Sequence, residues 1–194
     1  MGWTYMHAIY YTDSGAVDKK KELDNHFTYE SNIADWRVLK SSMVGKVYYA
    51  AVEYTPKEGN TNFPKHVFAL ICLTNVRPKE YCNFGFKDVA EECGPCEIEC
   101  PISILKLLSP TESVYANAWR KRCYEYHEWQ KSPDNPKNLP VGSVISFNFD
   151  GKVYNMRKMA PQYQFKTPWW YSVETNKIIK TKNIPQDFEI LYRG

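Results

Sequence analysis

The sequence predicts an α+β fold: helices on an antiparallel sheet in residues 1–130, a linker at 131–138, and a small SH3-like β-barrel in residues 139–194. Three observations predict it. Residues 46–54 and 66–74 are nearly continuous apolar runs of strand length, joined by a polar loop rich in Pro, Gly and Asn, as expected of two buried strands paired antiparallel. Residues 102–108 and 113–130 carry apolar side chains at helical spacing. The last 56 residues hold five short strand-like runs separated by turn signals.

In chain order, residues 6–11 are rich in aromatic and β-branched side chains and read as a first strand, ended by the turn Asp13-Ser-Gly15. Asp18 is placed to cap a helix over residues 19–27. Residues 36–39 read as a second strand, Ser41-Ser-Met-Val-Gly45 as a turn, and 46–54 as a third strand. Residues 81–92 read as a lead into a short acidic helix or turn. Pro101 suits the first position of the helix at 102–108. In the helix at 113–130, Tyr115, Trp119, Cys123 and Tyr126 form a stripe expected to pack on the sheet, with Arg120, Lys121 and Arg122 facing away. Two prolines and three Asn or Asp fill residues 131–138, with no apolar side chain but proline, so this segment reads as an exposed linker and the first site of proteolysis. Beyond it come strands at 141–149 and 152–156 around the hairpin turn Asp150-Gly151, then 170–173, 178–181 and 188–192.

Hydrophobic residues make up 43% of the 194, enough for a real core, and aromatic residues 15%. The net charge of +3 argues against a strongly basic whole-surface nucleic-acid binder. Charge is uneven, however. Residues 139–194 hold eight Lys and Arg against four Asp and Glu, or +4; the rest hold 17 against 18, or −1. The opening Met-Gly-Trp-Thr-Tyr-Met-His lacks a signal peptide's basic start and apolar run, and no stretch approaches the roughly 20 apolar residues of a membrane span. A cytoplasmic protein with reduced thiols and no membrane contact is expected.

The aromatic segment Met159-Ala-Pro-Gln-Tyr-Gln-Phe-Lys-Thr-Pro-Trp-Trp-Tyr171 carries the main candidate site. Tyr163, Phe165, Trp169 and Trp170 supply stacking faces, and Arg157, Lys158 and Lys166 supply positive charge, the pairing that a nucleic-acid strand rewards. Adjacent strand residues point to opposite sides, so one of Trp169 and Trp170 is expected in the core and the other at the surface or against the first domain. Arg120, Lys121 and Arg122 offer a second basic patch for phosphate or an acidic partner. For catalysis the candidates are His26 as base with Lys40 and Arg37 as phosphate-binding cations, should the fold bring them together near Ser41 and Ser42. Cys93-Gly-Pro-Cys96 is half of a zinc site that Cys100 and either Cys82 or Cys123 would complete; with no second C-x2-C or H-x3-H pair, buried or loop thiols are the expectation, and no metal. Asp88, Glu91 and Glu92 are expected to lie on a charged helix face. There is no GxxxxGK[ST], GxGxxG or GxSxG, hence no cofactor motif.

The opening Met-Gly-Trp-Thr, the segment Val38-Leu-Lys-Ser-Ser-Met-Val-Gly-Lys-Val-Tyr-Tyr-Ala-Ala-Val52, Phe86-Lys-Asp-Val-Ala-Glu-Glu-Cys-Gly-Pro95, Cys100-Pro101, Ala118-Trp119-Arg120 and Met159-Ala-Pro-Gln-Tyr-Gln-Phe-Lys-Thr-Pro-Trp169 together resemble a family of uncharacterised accessory proteins from bacterial conjugative elements and phages. The resemblance spans nearly the whole chain. It implies a setting, action on host defence, plasmid maintenance or nucleic acid, and no particular reaction. The expected function is a non-enzymatic mobile-element protein that binds RNA, DNA or a nucleic-acid-containing host defence complex, in the manner of an anti-CRISPR inhibitor. The alternatives are a metal-independent nuclease or nucleotide-processing enzyme, and an inhibitor directed purely at a host defence protein.

Overall fold

The computed structural model describes residues 2–6, 8–60, 64–74, 81–88, 96–172 and 174–194, with 2–6 and 81–87 described by their backbone. The fold is α+β, with two antiparallel sheets. The chain divides into two compact units, Met1–His127 and Glu128–Gly194.

The first unit is a six-stranded sheet in the order β1-β6-β5-β4-β3-β2. Its strands are β1 (Gly2–Met6), β2 (Tyr29–Glu30), β3 (Ala34–Val44), β4 (Val47–Pro56), β5 (His66–Thr74) and β6 (Tyr81–Lys87). β4 and β5 are the apolar runs seen in the sequence, and each is interior to the sheet. Their alternate residues feed two cores. Tyr48, Ala50, Val52, Tyr54, Phe68, Leu70 and Cys72 point to one side, where Leu23 of α1 (Lys19–His26) covers them. Tyr49, Ala51, Ala69 and Ile71 point to the other, against Ile104 and Leu105 of α2 (Ile102–Leu105) and Trp119 and Cys123 of α3 (Val114–Lys131). Burial on both faces is why these strands lack polar alternation.

Several sequence expectations change here. The first strand is β1, which pairs with β6; residues 8–11 instead turn back, and the amides of Ile9 and Tyr10 donate to the buried Glu22 carboxylate. Residues 36–39 and the expected turn at 41–45 are one strand, β3. A two-residue hairpin suffices for the reversal, with Gly45 at φ +59°. An extra residue, Leu39, bulges between the pairs Val38–Val52 and Lys40–Ala51. Residues 81–87 form strand β6, not the approach to a helix. α1 carries the expected Asp18 cap, whose side chain accepts from the Lys21 amide. α2 stops at Leu105, and beyond it Ser109 is bound to β5: its amide donates to Val67 O at 2.9 Å and its hydroxyl accepts from Val67 N at 2.9 Å. The buried stripe of α3 runs through Ala116, Trp119 and Cys123; Trp119 and Cys123 are buried as read, and Ala116 takes the place of Tyr115, which is exposed.

The second unit contains β7 (Val144–Phe149), β8 (Lys152–Met159), β9 (Trp169–Ser172), β10 (Lys177–Lys180) and β11 (Glu189–Tyr192) in one sheet, order β10-β9-β8-β7-β11. A 3-10 turn, Thr181–Asn183, precedes β11. Asp150 (φ +52°) and Gly151 (φ +72°) make the β7–β8 hairpin, as the sequence predicts. Among the described residues, no ladder pairs β10 with β11, so the sheet is not closed by hydrogen bonds. Leu139, Ile145, Phe147, Met156 and Trp170 form the core. No helix among the described residues is long and apolar enough to cross a membrane.

Residues 131–138 fall within the second unit and are mostly exposed, but they are held down at their middle. Asn135 and Pro136 are buried, and the Lys158 ammonium reaches three carbonyls of this region, Pro136 O (2.9 Å), Lys137 O (2.9 Å) and Leu139 O (2.7 Å). A lysine Nζ carries three donors, and all three are used. Lys158, expected among the surface cations, is therefore a core residue, 3% exposed. Lys158→Ala is expected to cost about 2–4 kcal/mol in urea unfolding, because three carbonyls lose a charged donor. It is also expected to open residues 131–138 to protease, whereas in the parent chain these residues resist the first cut.

Candidate functional site

An open cleft of about 380 Å³ lies on the α1 side of the first sheet, lined by His26, Phe27, Tyr29, Trp36, Val52, Phe68 and Leu70. Its origin is geometric. α1 has eight residues, a length of about 12 Å, whereas β4 runs for about 33 Å. The helix covers Tyr48 and leaves the sheet around Trp36, Val52, Phe68 and Leu70 to aromatic side chains. Trp36 stacks on Tyr29 (centroids 5.6 Å, planes 16° apart) and meets Tyr54 and Phe68 edge-on at 5.0 and 5.6 Å. Such T-shaped contacts fix ring orientation. Burial holds His26 below the ordinary histidine pKa, so it is neutral at pH 7.

A second, polar cleft is lined by Lys20, Asp24, Thr28, Val38, Leu39, Lys40 and Ser41. Asp24 is fully engaged: Oδ1 accepts from the Tyr48 hydroxyl and Oδ2 from Lys20 Nζ, both at 2.7 Å. Burial and this carboxylate push the Tyr48 phenol well above its usual range. The catalytic candidates are thus not assembled. His26 lines the aromatic cleft, Lys40 the polar one, and Arg37 is exposed on β3 and lines neither.

Arg120 does not face away from the sheet with Lys121 and Arg122. Its Nε donates to Asp88 at 2.6 Å and its Nη1 to Ser109 O at 2.6 Å, and Asp88 Oδ1 accepts from the Ala69 amide at 2.8 Å. Asp88 is fully buried, so its place is the core and not a charged helix face. Lys121 and Arg122 are exposed as expected. Cys72, Cys100 and Cys123 are buried; desolvation pushes the first and last up to about 12 and Cys100 upward as well, so none is a thiolate at neutral pH. Cys96 is exposed. Cys93, Glu91 and Glu92 lie outside the described residues, as does the Cys82 side chain. Among the described residues no three metal-ligating groups converge.

In the second unit, Trp170 is buried in the core, as one of the pair must be, and its indole donates to Thr181 Oγ1 at 3.2 Å. Trp169 points to the opposite face, yet it too is buried, at 8% exposure. The alternation rule holds; what it omits is that residues 160–168 fold back over that face. Phe165 stacks on Trp169 at 4.9 Å, and the Trp169 indole donates to Ala160 O at 3.1 Å. Gln162 and Phe165 exchange two backbone hydrogen bonds at 2.8 and 2.9 Å, which puts Tyr163 at the tip of a tight turn, fully exposed. Arg157 and Lys166 are exposed and Phe165 half-buried. Of the aromatic loop's expected binding groups, Arg157, Tyr163, Phe165 and Lys166 thus remain at the surface.

No family model matches the chain, and no curated protein or solved structure matches it either.

Phe27, Tyr29, Trp36 and Phe68 escape a sequence reading. The available signal is that Trp36 and Val38, Val52 and Tyr54, and Phe68 and Leu70 alternate onto one sheet face beside a helix too short to cover it. Two predictions follow from the placements. Arg120→Ala leaves the Asp88 carboxylate buried without its cation and is expected to cost about 3–5 kcal/mol in chemical unfolding, while Lys121→Ala changes stability by less than about 0.5 kcal/mol. The second concerns pH. Burial lowers His26, and burial with the Arg120 charge lowers His66. Between these lowered values and about 6.5, the unfolded chain binds protons that the folded chain refuses, so stability falls as pH drops through 6.5. Melting curves from pH 7.5 to 5.5 are expected to show this loss, and His26→Gln to show less of it.

Proposed function

We propose that the chain is a non-enzymatic binding protein that engages single-stranded nucleic acid, free or within a host defence ribonucleoprotein, through the β8–β9 loop of its second unit. The observation that carries this reading is Tyr163, a fully exposed aromatic on a turn held by reciprocal hydrogen bonds and by the Phe165–Trp169 stack. A preordered ring loses little entropy when a base stacks on it. Arg157 and Lys166 lie exposed in the same segment and supply phosphate contacts. The strand order of the second unit, with its fifth strand beside its first and a 3-10 turn before the fifth, supports an SH3-like barrel of the partly open kind. The resemblance to accessory proteins of phages and conjugative elements supports a bacterial cytoplasmic setting and an anti-CRISPR-like role. The nuclease alternative is disfavoured by the separation of His26 from Lys40 into different clefts.

The test is fluorescence anisotropy with labelled single-stranded RNA and DNA at two salt concentrations, with and without EDTA. Binding without cleavage is expected. Tyr163→Ala is expected to weaken it by about 1–3 kcal/mol with an unchanged melting temperature. Arg157 and Lys166 changed together to Ala are expected to lower the log–log salt slope by about 1.4, the contribution of two single-strand phosphate contacts. Absence of binding at low salt, or binding indifferent to all three residues, overturns the proposal; in that case Tyr163 is better read as an anchor for a protein partner.

A further inference from the structure

The β8–β9 loop does not stand alone on its face of the second sheet. Trp170 and Ile179 pack into the core, so their strand neighbours Trp169, Tyr171 and Lys180 point out of it. Phe165 stacks on Trp169, and Trp169 meets Tyr171 edge-on at 6.0 Å, so a line of rings runs from the loop down β9. Pairing places a cation on each side of that line. Arg157 of β8 is opposite Tyr171, and Lys180 of β10 is opposite Trp169. Two strand spacings, about 10 Å, separate β8 from β10. Directly after Lys180, the Thr181 hydroxyl accepts from the Trp170 indole at 3.2 Å and donates to Pro168 O at 3.3 Å. This ties the 3-10 turn, with its Lys182, to the end of the loop that carries Lys166. Arg157, Lys166, Lys180 and Lys182 are all exposed, and none forms an ion pair among the described residues. The carboxylates of this face lie away from the loop. Glu174 sits in the turn at the far ends of β9 and β10 and accepts from Asn155 at 3.4 Å. Glu189 is opposite Ser146, which pairs with Asn155, two residues nearer the β7–β8 hairpin than Arg157.

Four uncompensated cations set around a line of rings fit a chain of flat bases and regularly spaced negative charges. Resting on the loop reading above, we propose that the single strand held at Tyr163 continues over β9 onto β10, with phosphates at Lys180 and Lys182 in addition to those at Arg157 and Lys166. The ligand is then an oligonucleotide and not a mononucleotide. A strand of n nucleotides without terminal phosphate carries n−1 phosphates, so the four contacts fill at about five nucleotides.

Fluorescence anisotropy of the full chain with labelled single-stranded oligonucleotides of increasing length tests this. Affinity is expected to rise steeply up to about five nucleotides and little beyond, and the log–log salt slope to reach about 2.8 in magnitude. Lys180 and Lys182 changed together to Ala are expected to lower that slope by about 1.4 with an unchanged melting temperature, since both side chains lie at the surface. The same pair is expected to shorten, by about two nucleotides, the length at which affinity levels off. Lys106 and Lys121, exposed on the first unit, are the control pair and are expected to leave the slope unchanged. Binding that depends on Tyr163, Arg157 and Lys166 but is indifferent to Lys180 and Lys182 overturns the extension and keeps the loop reading. An equal loss in the control pair, or hexaglutamate competing as well as the oligonucleotide, reduces the cations to a general field and overturns the extension too. No binding at any length in low salt overturns both readings.

Discussion

Strands β4 and β5 present apolar side chains on both faces, so the first sheet must be covered twice. Each fully buried Tyr, Ile or Phe left in water would cost about 1.5–3 kcal/mol, and the two strands carry many of them. One cover is built from α2 and α3, with Trp119 as its largest side chain. The other is α1, which is too short. Tyr29, Trp36 and Phe27 complete it with rings instead of backbone, and rings packed edge to face leave a cleft where a longer helix would have left none. The aromatic cleft of the first unit is thus a consequence of unequal cover on a two-faced sheet.

The same demand explains why cations that look superficial in the sequence end in the interior. Arg120 lies on α3 one residue after Trp119, beside the buried face. Once Asp88 accepts the Ala69 amide at the sheet, its carboxylate needs a cation, and Arg120 is the one in reach. Lys158 alternates inward on β8 across from Trp170, and its ammonium takes up carbonyls that the turns of residues 131–138 cannot satisfy among themselves. Both side chains act as hydrogen-bond donors to otherwise stranded acceptors, and both are thereby unavailable to phosphate.

Local rules read well in this chain. The bounds of β5, the Asp18 cap, the Asp150-Gly151 hairpin and the five strands of the second unit follow from periodicity and turn chemistry, which act over a few residues. Most of what failed depends on distant partners. Tyr81–Lys87 pairs with β5 and β1, and its alternation of Cys82, Phe84 and Phe86 with Asn83, Gly85 and Lys87 is a strand signal that the neighbouring acidic run obscures. Residues 131–138 have linker composition, but a lysine twenty residues away binds them down. Trp169 is on the side that alternation assigns, and only the fold-back of its own loop decides that this side is not solvent. At the candidate sites, Tyr163 and Lys166 of the loop and Arg157 of β8 were legible as exposed polar or aromatic residues. The aromatic cleft was not, because its walls come from five separate elements.

The proposed binding of nucleic acid through preordered aromatic side chains is tested most directly by backbone amide shift mapping on the isotopically labelled full chain, titrated with a short single-stranded oligonucleotide. Shifts concentrated at Tyr163, Gln164, Phe165 and Lys166 are expected. Shifts confined to Lys121, Arg122 or other exposed cations, with the loop unmoved, would contradict it.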